Sequence, residues 1–289
     1  MKMAGVAMGV CSEALPEVHA VAAYSTLDEV VAGLWAIEQR FLARQDRRAI
    51  FATLYGVVSA EMRHRVARGE FLDPAWVHRY AVAFANYYRD ALEAYDSGRT
   101  AQVPRAWRLC FDAAAAGNGL VLQDLLLGVN AHVNNDLPFA LHRVTIEPDR
   151  EQRRRDHDAV NEVLAAVTER ATTRIAALYA PGLVALDELA GNIDEMLALF
   201  SLQTARESSW ESAVSFTNAS NVVERALVSG LVSSRAAVMA KLLLAPSRNP
   251  ALVAASRRLE QQMSVATLLA EVRADLAACL DGDVARGPH

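Results

Sequence analysis

Apolar residues recur in this chain at intervals of three and four over most of its length, and that pattern restricts it to helices. Val30, Leu34, Ile37 and Phe41 make one stripe, and Ile50, Leu54, Val57, Val58 and Met62 make the next. Residues spaced in this way share one face of a 3.6-residue helix, whereas a half-buried strand needs strict alternation. No convincing alternating run exists. Glycine and proline are scarce, at 14 and 9 of 289 residues, so little interrupts the helical pattern. The reading is all-α: a single multi-helix domain of about eight or nine helices with no significant sheet.

The interruptions that do occur mark the helix ends. Ser25 or Thr26 can cap a first helix, with Asp28 and Glu29 in its first turn, where carboxylates suit the helix dipole. Asp73-Pro74 restarts the chain after Gly69, because aspartate caps well and proline loses nothing at the first helical position. Gly117-Asn118-Gly119, Glu147-Pro148-Asp149 and Ala245-Pro246 through Pro250 read as breaks, and Ala180-Pro181-Gly182 as the clearest boundary. The organisation expected is a flexible segment over 1–24, a helical core over 25–181, and a C-terminal helical subdomain over 182–282 packed on that core.

Composition removes some function classes. A net charge of -5 speaks against nucleic acid as the main partner, which would favour a basic face. Cys11, Cys110 and Cys279 are odd in number and far apart, which suits a reducing compartment better than a disulfide framework. No signal-like run opens the chain, and no uncharged apolar stretch of about 18 residues is present. The expectations are a cytoplasmic protein without a membrane span, with the C-terminal helices as a candidate homodimer contact.

The chemistry concentrates between Asn130 and His142. Asn130, His132, Asn134, Asn135 and Asp136 put five polar groups into seven residues of a helix that otherwise needs only to pack. Buried polar groups must be paired or they cost free energy, so a polar pocket is expected there. His132 and Asp136, four apart, share a helix face and could reach one cation. His142 follows just past Pro138. His157 and Asn161 make a second pair at the same spacing on the next helix, with Asp156 adjacent. Four nitrogen and oxygen donors meeting across the Glu147-Pro148 turn would suit a divalent metal such as zinc, while Asn134 and Asn135 orient the ligands. The same residues also fit an intrahelical hydrogen bond and a run of asparagines satisfying backbone groups at a kink.

Asn130-Ala131-His132-Val133-Asn134-Asn135-Asp136-Leu137-Pro138-Phe139-Ala140-Leu141-His142 resembles the signature of the zinc-dependent phospholipase C and S1/P1 nuclease superfamily. That resemblance implies an all-helical fold and a zinc cluster held by His132, Asp136 and His142. His157 stands at the position of the second pair, with Asn161 where the superfamily has a carboxylate. A broader likeness runs from about Ile50 to Leu164. It is carried by Gly69 to Trp76, Val103 to Trp107, Leu127 to Leu137 and Asp156 to Asn161. Over that length the chain resembles an uncharacterised all-helical family from actinobacteria, which implies a shared fold and pocket but no activity.

Three functions fit these residues. The first is a metal-dependent hydrolase of an ester or phosphoester, with the metal on His132, Asp136, His142 and His157 and with Asp156 or Glu61 as general base. The second is a metal-free cyclase, lyase or isomerase in which His132 and Asp136 move protons and the asparagines bind an oxyanion. The third is a helical protein that binds a ligand without turnover. The substrate or ligand expected is a small molecule, apolar in part. Asn130, Asn134, Asn135, Asn161 and Tyr55 are candidates to touch it. Trp76, Tyr80, Phe84 and Tyr87 read as core that could also wall an apolar cavity. Arg150, Arg153, Arg154 and Arg155 are a candidate anion patch or a solvated face. Asp194, Arg206, Glu207 and Trp210 are candidates to close the pocket from the C-terminal half.

Overall fold

A computed structural model describes residues 22–179, 201–245 and 250–261, with scattered positions up to 273. These residues form helices α1 (Leu27–Leu42), α2 (Ala49–Ala67), α3 (Pro74–Asp96), α4 (Arg105–Ala116), α5 (Val121–Asn130), α6 (Leu137–Val144), α7 (Arg150–Tyr179), α8 (Leu202–Asn218), α9 (Val222–Leu243) and α10 (Pro250–Gln261). A wide, π-helical turn, Ala131–Asp136, joins α5 to α6. No strand occurs among the described residues. The fold is all-α, as the periodicity requires.

The caps are those expected. Thr26 and Glu29 make a reciprocal capping box, with Thr26 Oγ1 accepting from the Glu29 amide at 3.1 Å. Asp73 accepts from the Trp76 amide at 2.9 Å, with Pro74 at the first helical position. Gly117 ends α4 in the left-handed region at φ 62°, where a side chain would be strained. The boundary expected at Ala180-Pro181-Gly182, residues 1–21 of the N-terminal segment and Asp194 lie outside the described residues.

The central rod of α5, the wide turn and α6 organises the packing. α2, α3 and α4 contact it from the N-terminal half, while α8 and α9 lie against the wide turn from the C-terminal half. The core between them is aromatic, with Trp76, Trp107, Tyr88, Phe41 and Phe111 fully buried. α9 turns Val232, Ala236, Ala237, Ala240 and Leu243 inward, and small residues there let its backbone come close. Its other side exposes Val222, Val223, Leu227, Leu231, Val238 and Leu242. Although it carries Glu224, Arg225, Arg235 and Lys241, α9 is long and apolar enough to cross a membrane by length and composition alone, with mean hydropathy 1.4. No such helix was expected from the sequence.

The basic start of α7 is absorbed by structure. Arg154 pairs with Asp158 and Glu207, Arg155 with Glu151, and Arg150 with Glu147. Arg153 is buried and donates to the carbonyls of Thr145 and Glu147, holding the turn before α7.

Candidate active site

The wide turn at Ala131–Asp136 follows from Pro138. Proline has no N–H, so the regular helical ladder must lose a bond one turn upstream. The chain responds by changing register: the Leu137 amide donates to the carbonyl of His132, five residues back. In that register the Val133 carbonyl faces Pro138 and has no amide to accept. The Ser209 hydroxyl of α8 lies 2.8 Å from the Val133 oxygen and 2.8 Å from the Ala205 carbonyl of its own helix, so its one proton is shared between the two acceptors. Single wide turns of this kind occur frequently at functional sites.

The altered register places His132 and Asp136 together in the core. His132 Nδ1 lies 3.0 Å from Asp136 Oδ2, and both residues are buried. The same oxygen accepts from the indole Nε1 of Trp107 at 2.7 Å, while Oδ1 accepts from Asn135 Nδ2 at 2.8 Å. Three donors therefore fix the carboxylate, and the carboxylate fixes the proton of His132 on Nδ1. The other ring nitrogen, Nε2, has no hydrogen-bond partner. Burial lowers the His132 pKa, against an opposing pull from Asp136, so the ring is neutral near pH 7 with a lone pair on Nε2. Phe84 stacks face to face on the imidazole at 3.5 Å between centroids, and Tyr55 meets it edge-on at 4.5 Å.

His132 forms part of the wall of a cavity of about 80 Å³ between α2, α3, the wide turn, α7 and α8. The wall is otherwise mostly apolar, including Phe51, Leu54, Val58, Phe84, Val133 and Val160. Its polar groups are Tyr55, Ser59, Tyr80, His132 and Arg206. The Tyr55 hydroxyl has a pKa well above the usual tyrosine value, chiefly through burial and then through the Asp136 charge, with Ser59 pulling weakly the other way. It therefore stays protonated and able to donate. Gly128 permits the close approach of α5 to α2, since a Cβ there would lie 2.6 Å from the Phe51 ring.

The other residues singled out in the sequence fall in different places. Asn130 and Asn134 bond each other at 2.9 Å, and Asn130 also donates to the Ala236 carbonyl of α9 at 3.0 Å, so this pair ties the rod to α9. Asp156 accepts from the backbone amides of Leu72 and Asp73 at 2.7 and 2.8 Å, which anchors the loop before α3. Glu61 pairs with Arg65, one turn along its own helix, at 2.8 Å. His142 lies in the last turn of α6 with its ring stacked on Phe216 at 5.0 Å. Arg206 of α8 occupies the place between His157 and Asn161. Its Nε donates to Asn161 Oδ1 at 2.5 Å, and Nη2 donates to the His157 carbonyl at 2.5 Å and to His157 Nδ1 at 3.2 Å. Burial first, then the Arg206 and Arg154 charges, hold the His157 pKa well below the usual histidine value.

The expected metal donors are therefore not gathered. His157 turns its Nδ1 to a guanidinium, His142 stacks on a phenyl ring, and both Asp156 oxygens serve backbone amides. Among the described residues, no group of three or more His, Cys, Asp or Glu side chains could hold a metal ion. This donor set does not fit the zinc cluster implied by the phospholipase-like motif. Phe51, Ser59 and Ser209 were not singled out from the sequence. A serine inside α8 gave only a faint sign, because its partner carbonyl lies 76 residues away.

An all-α protein with a buried His-Asp pair on a wide helical turn, its histidine in the wall of a largely apolar cavity, is the class these features define. The chain belongs to a family of unknown function, DUF5995, whose profile matches residues 27–246 and so spans the whole site. No curated protein and no solved structure matches it.

Proposed function

We propose that this protein is a metal-free proton-transfer enzyme, of the cyclase, lyase or isomerase kind, acting on a small and largely apolar metabolite bound in the cavity. One observation carries the reading: His132 Nε2 is buried in a cavity wall without a partner, while its Nδ1–H is anchored on a carboxylate that three donors hold. An orphaned buried polar atom costs about 1–3 kcal/mol. His157 Nε2 is orphaned too, and what sets His132 apart is that its unsatisfied atom belongs to a residue of the cavity wall.

In this reading His132 Nε2 takes a proton from the substrate, and Asp136 stabilises the imidazolium that forms without taking the proton itself. The stacked Phe84 face adds attraction for that cation. Tyr55, kept protonated, donates to an oxygen on which charge develops, the task first expected of the asparagines. The apolar wall excludes water and strengthens both interactions.

The test is incubation of the purified protein with a metabolite extract in EDTA, followed by mass spectrometry of the pool. The expected result is one compound consumed by the wild type and left intact by a folded His132→Gln variant. Identical pools from the two proteins, or consumption that stops with EDTA, would overturn the reading.

A further inference from the structure

Among the described residues Arg206 has no counter-charge. It is 1 % exposed, and its four hydrogen bonds all go to neutral acceptors: Asn161 Oδ1, the Tyr80 hydroxyl at 3.3 Å, and the carbonyl and Nδ1 of His157. A guanidinium carries five N–H groups, so one hydrogen on Nη1 is left over. Three nearby carboxylates are committed elsewhere. Asp156 holds two backbone amides, and Asp158 and Glu207 both pair with Arg154. No ion pair to Arg206 occurs among the described residues. Removing a cation from water costs several kcal/mol unless an anion accompanies it. Neutral acceptors can fix the orientation of the guanidinium, but they do not cancel its charge.

Arg206 is also part of the cavity wall, together with His132 and Tyr80. Apolar side chains of Phe84, Val133, Val160 and Leu202 make up much of the wall around them. Because the Tyr80 hydroxyl accepts from Arg206, its own O–H is free to donate to an incoming oxygen. The cavity thus offers one fixed cation, one adjacent hydroxyl donor, an apolar body and one base.

From this arrangement we infer that the occupant of the cavity is a small apolar monocarboxylic acid. Its carboxylate pairs with Arg206 and Tyr80, and its hydrocarbon part reaches towards His132. The inference rests on the proton-transfer reading only in treating this occupant as the substrate. A monoanion is specified by charge balance: one guanidinium neutralises one carboxylate, whereas a phosphate dianion would bring a second charge into a largely apolar cavity with no second cation among the described residues of its wall. Arg206 is then the residue that selects the substrate class, and His132 the residue that acts on it.

Matched acids and primary amides of the same carbon skeleton, such as pentanoate, hexanoate, cyclohexanecarboxylate and phenylacetate with their amides, can be titrated calorimetrically into the full-length protein at pH 7.5. At least one acid is expected to bind tenfold or more tightly than its amide. Arg206→Gln should abolish that preference, and His132→Gln should keep it. Amides that bind as well as acids, or failure of every acid to bind, would overturn the inference. If Arg206→Gln does not fold, the acid-against-amide comparison in the wild type decides alone, and Tyr80→Phe should reduce the preference severalfold. The two readings fail separately. An acid that binds through Arg206 while no compound is consumed refutes proton transfer and leaves the carboxylate site standing. Turnover that needs His132 but shows no acid preference does the reverse.

Discussion

Replacing Asp136 by asparagine or by alanine should separate the charge of the carboxylate from its hydrogen-bonding geometry. In the native protein the His132 and Trp107 N–H groups both reach Oδ2, so a single amide oxygen in Asp136→Asn can keep both. Asn135 now donates to Oδ1 and would meet the new amide nitrogen donor to donor. Its own Oδ1, however, has no partner, so the Asn135 amide can turn over and accept instead. The loss is then confined to the charge-assisted part of three bonds. A bond to a charged group is worth about 1.5–3 kcal/mol net against about 1 for a neutral one, which puts Asp136→Asn near 2 kcal/mol. Asp136→Ala instead leaves three buried N–H donors with no acceptor, on His132, Trp107 and Asn135, at about 1–3 kcal/mol each, so about 6 kcal/mol is expected. Urea unfolding followed by tryptophan fluorescence measures both values. Nitrogen NMR of the histidine ring should find the proton on Nδ1 in the wild type and in Asp136→Asn, and no longer held there in Asp136→Ala. Equal destabilisation by the two substitutions, or a wild-type proton on Nε2, would refute the assigned network.

Three further outcomes are expected. His132 and His157 have folded pKa values below their unfolded value near 6.5, so their contribution to stability is complete above about pH 6.5 and is lost as the pH falls below it. Asp124, raised to about 6 by burial despite Arg47, works in the opposite direction by favouring the folded state as it protonates. Two protons against one predict a lower urea midpoint at pH 5 than at pH 7, and His157→Gln should shrink the difference; a midpoint unchanged over that interval would contradict the assignment. Gly128→Ala should cost about 1–3 kcal/mol, because Phe51 must move and it packs on both Trp107 and His132; an unchanged thermal midpoint would show that the contact is slack. Ser209→Ala should cost about 1–3 kcal/mol through the orphaned Val133 carbonyl, and amide exchange should rise around the wide turn more than in α1; uniform protection in the two places would remove Ser209 from that role.

The helices were legible because their signals are local. Thr26 with Glu29, and Asp73 with Pro74, sit within one turn of the ends they set, and stripes such as Val30, Leu34 and Phe41 need only their own helix. The stretch from Asn130 to Asp136 was legible as a site because five polar groups in a buried rod require partners. The identity of those partners was not legible. His157 and Asn161 look like half of a metal site until Arg206 arrives between them from α8, 49 and 45 residues further along the chain. Asp156, beside them, looks like a spare carboxylate until the loop before α3 places two amides on it. Glu61 is claimed by Arg65, a neighbour that was visible in the sequence but no more conspicuous than Arg63. Pro138 announced a kink, whereas the change of register and the serine that completes it depend on how α8 docks.

The wide turn also sets a phase relation within the central rod. One extra residue per turn amounts to about 100° of rotation between what lies before it and what lies after. His132 and the face of α5 that receives Phe51 belong to one phase, and the α6 face that meets α3 and α8 belongs to the other. Removing a single residue between Ala131 and Asp136 would take out the extra residue of the turn and leave the composition almost unchanged. It would also swing one half of the rod out of its groove, so that either the His-Asp pair or α6 faced the wrong neighbours. The rod therefore tolerates changes of side chain along its length far better than a change in residue count at this one turn, and descendants of this chain are bound to keep the spacing from His132 to Pro138 for as long as they keep the cavity.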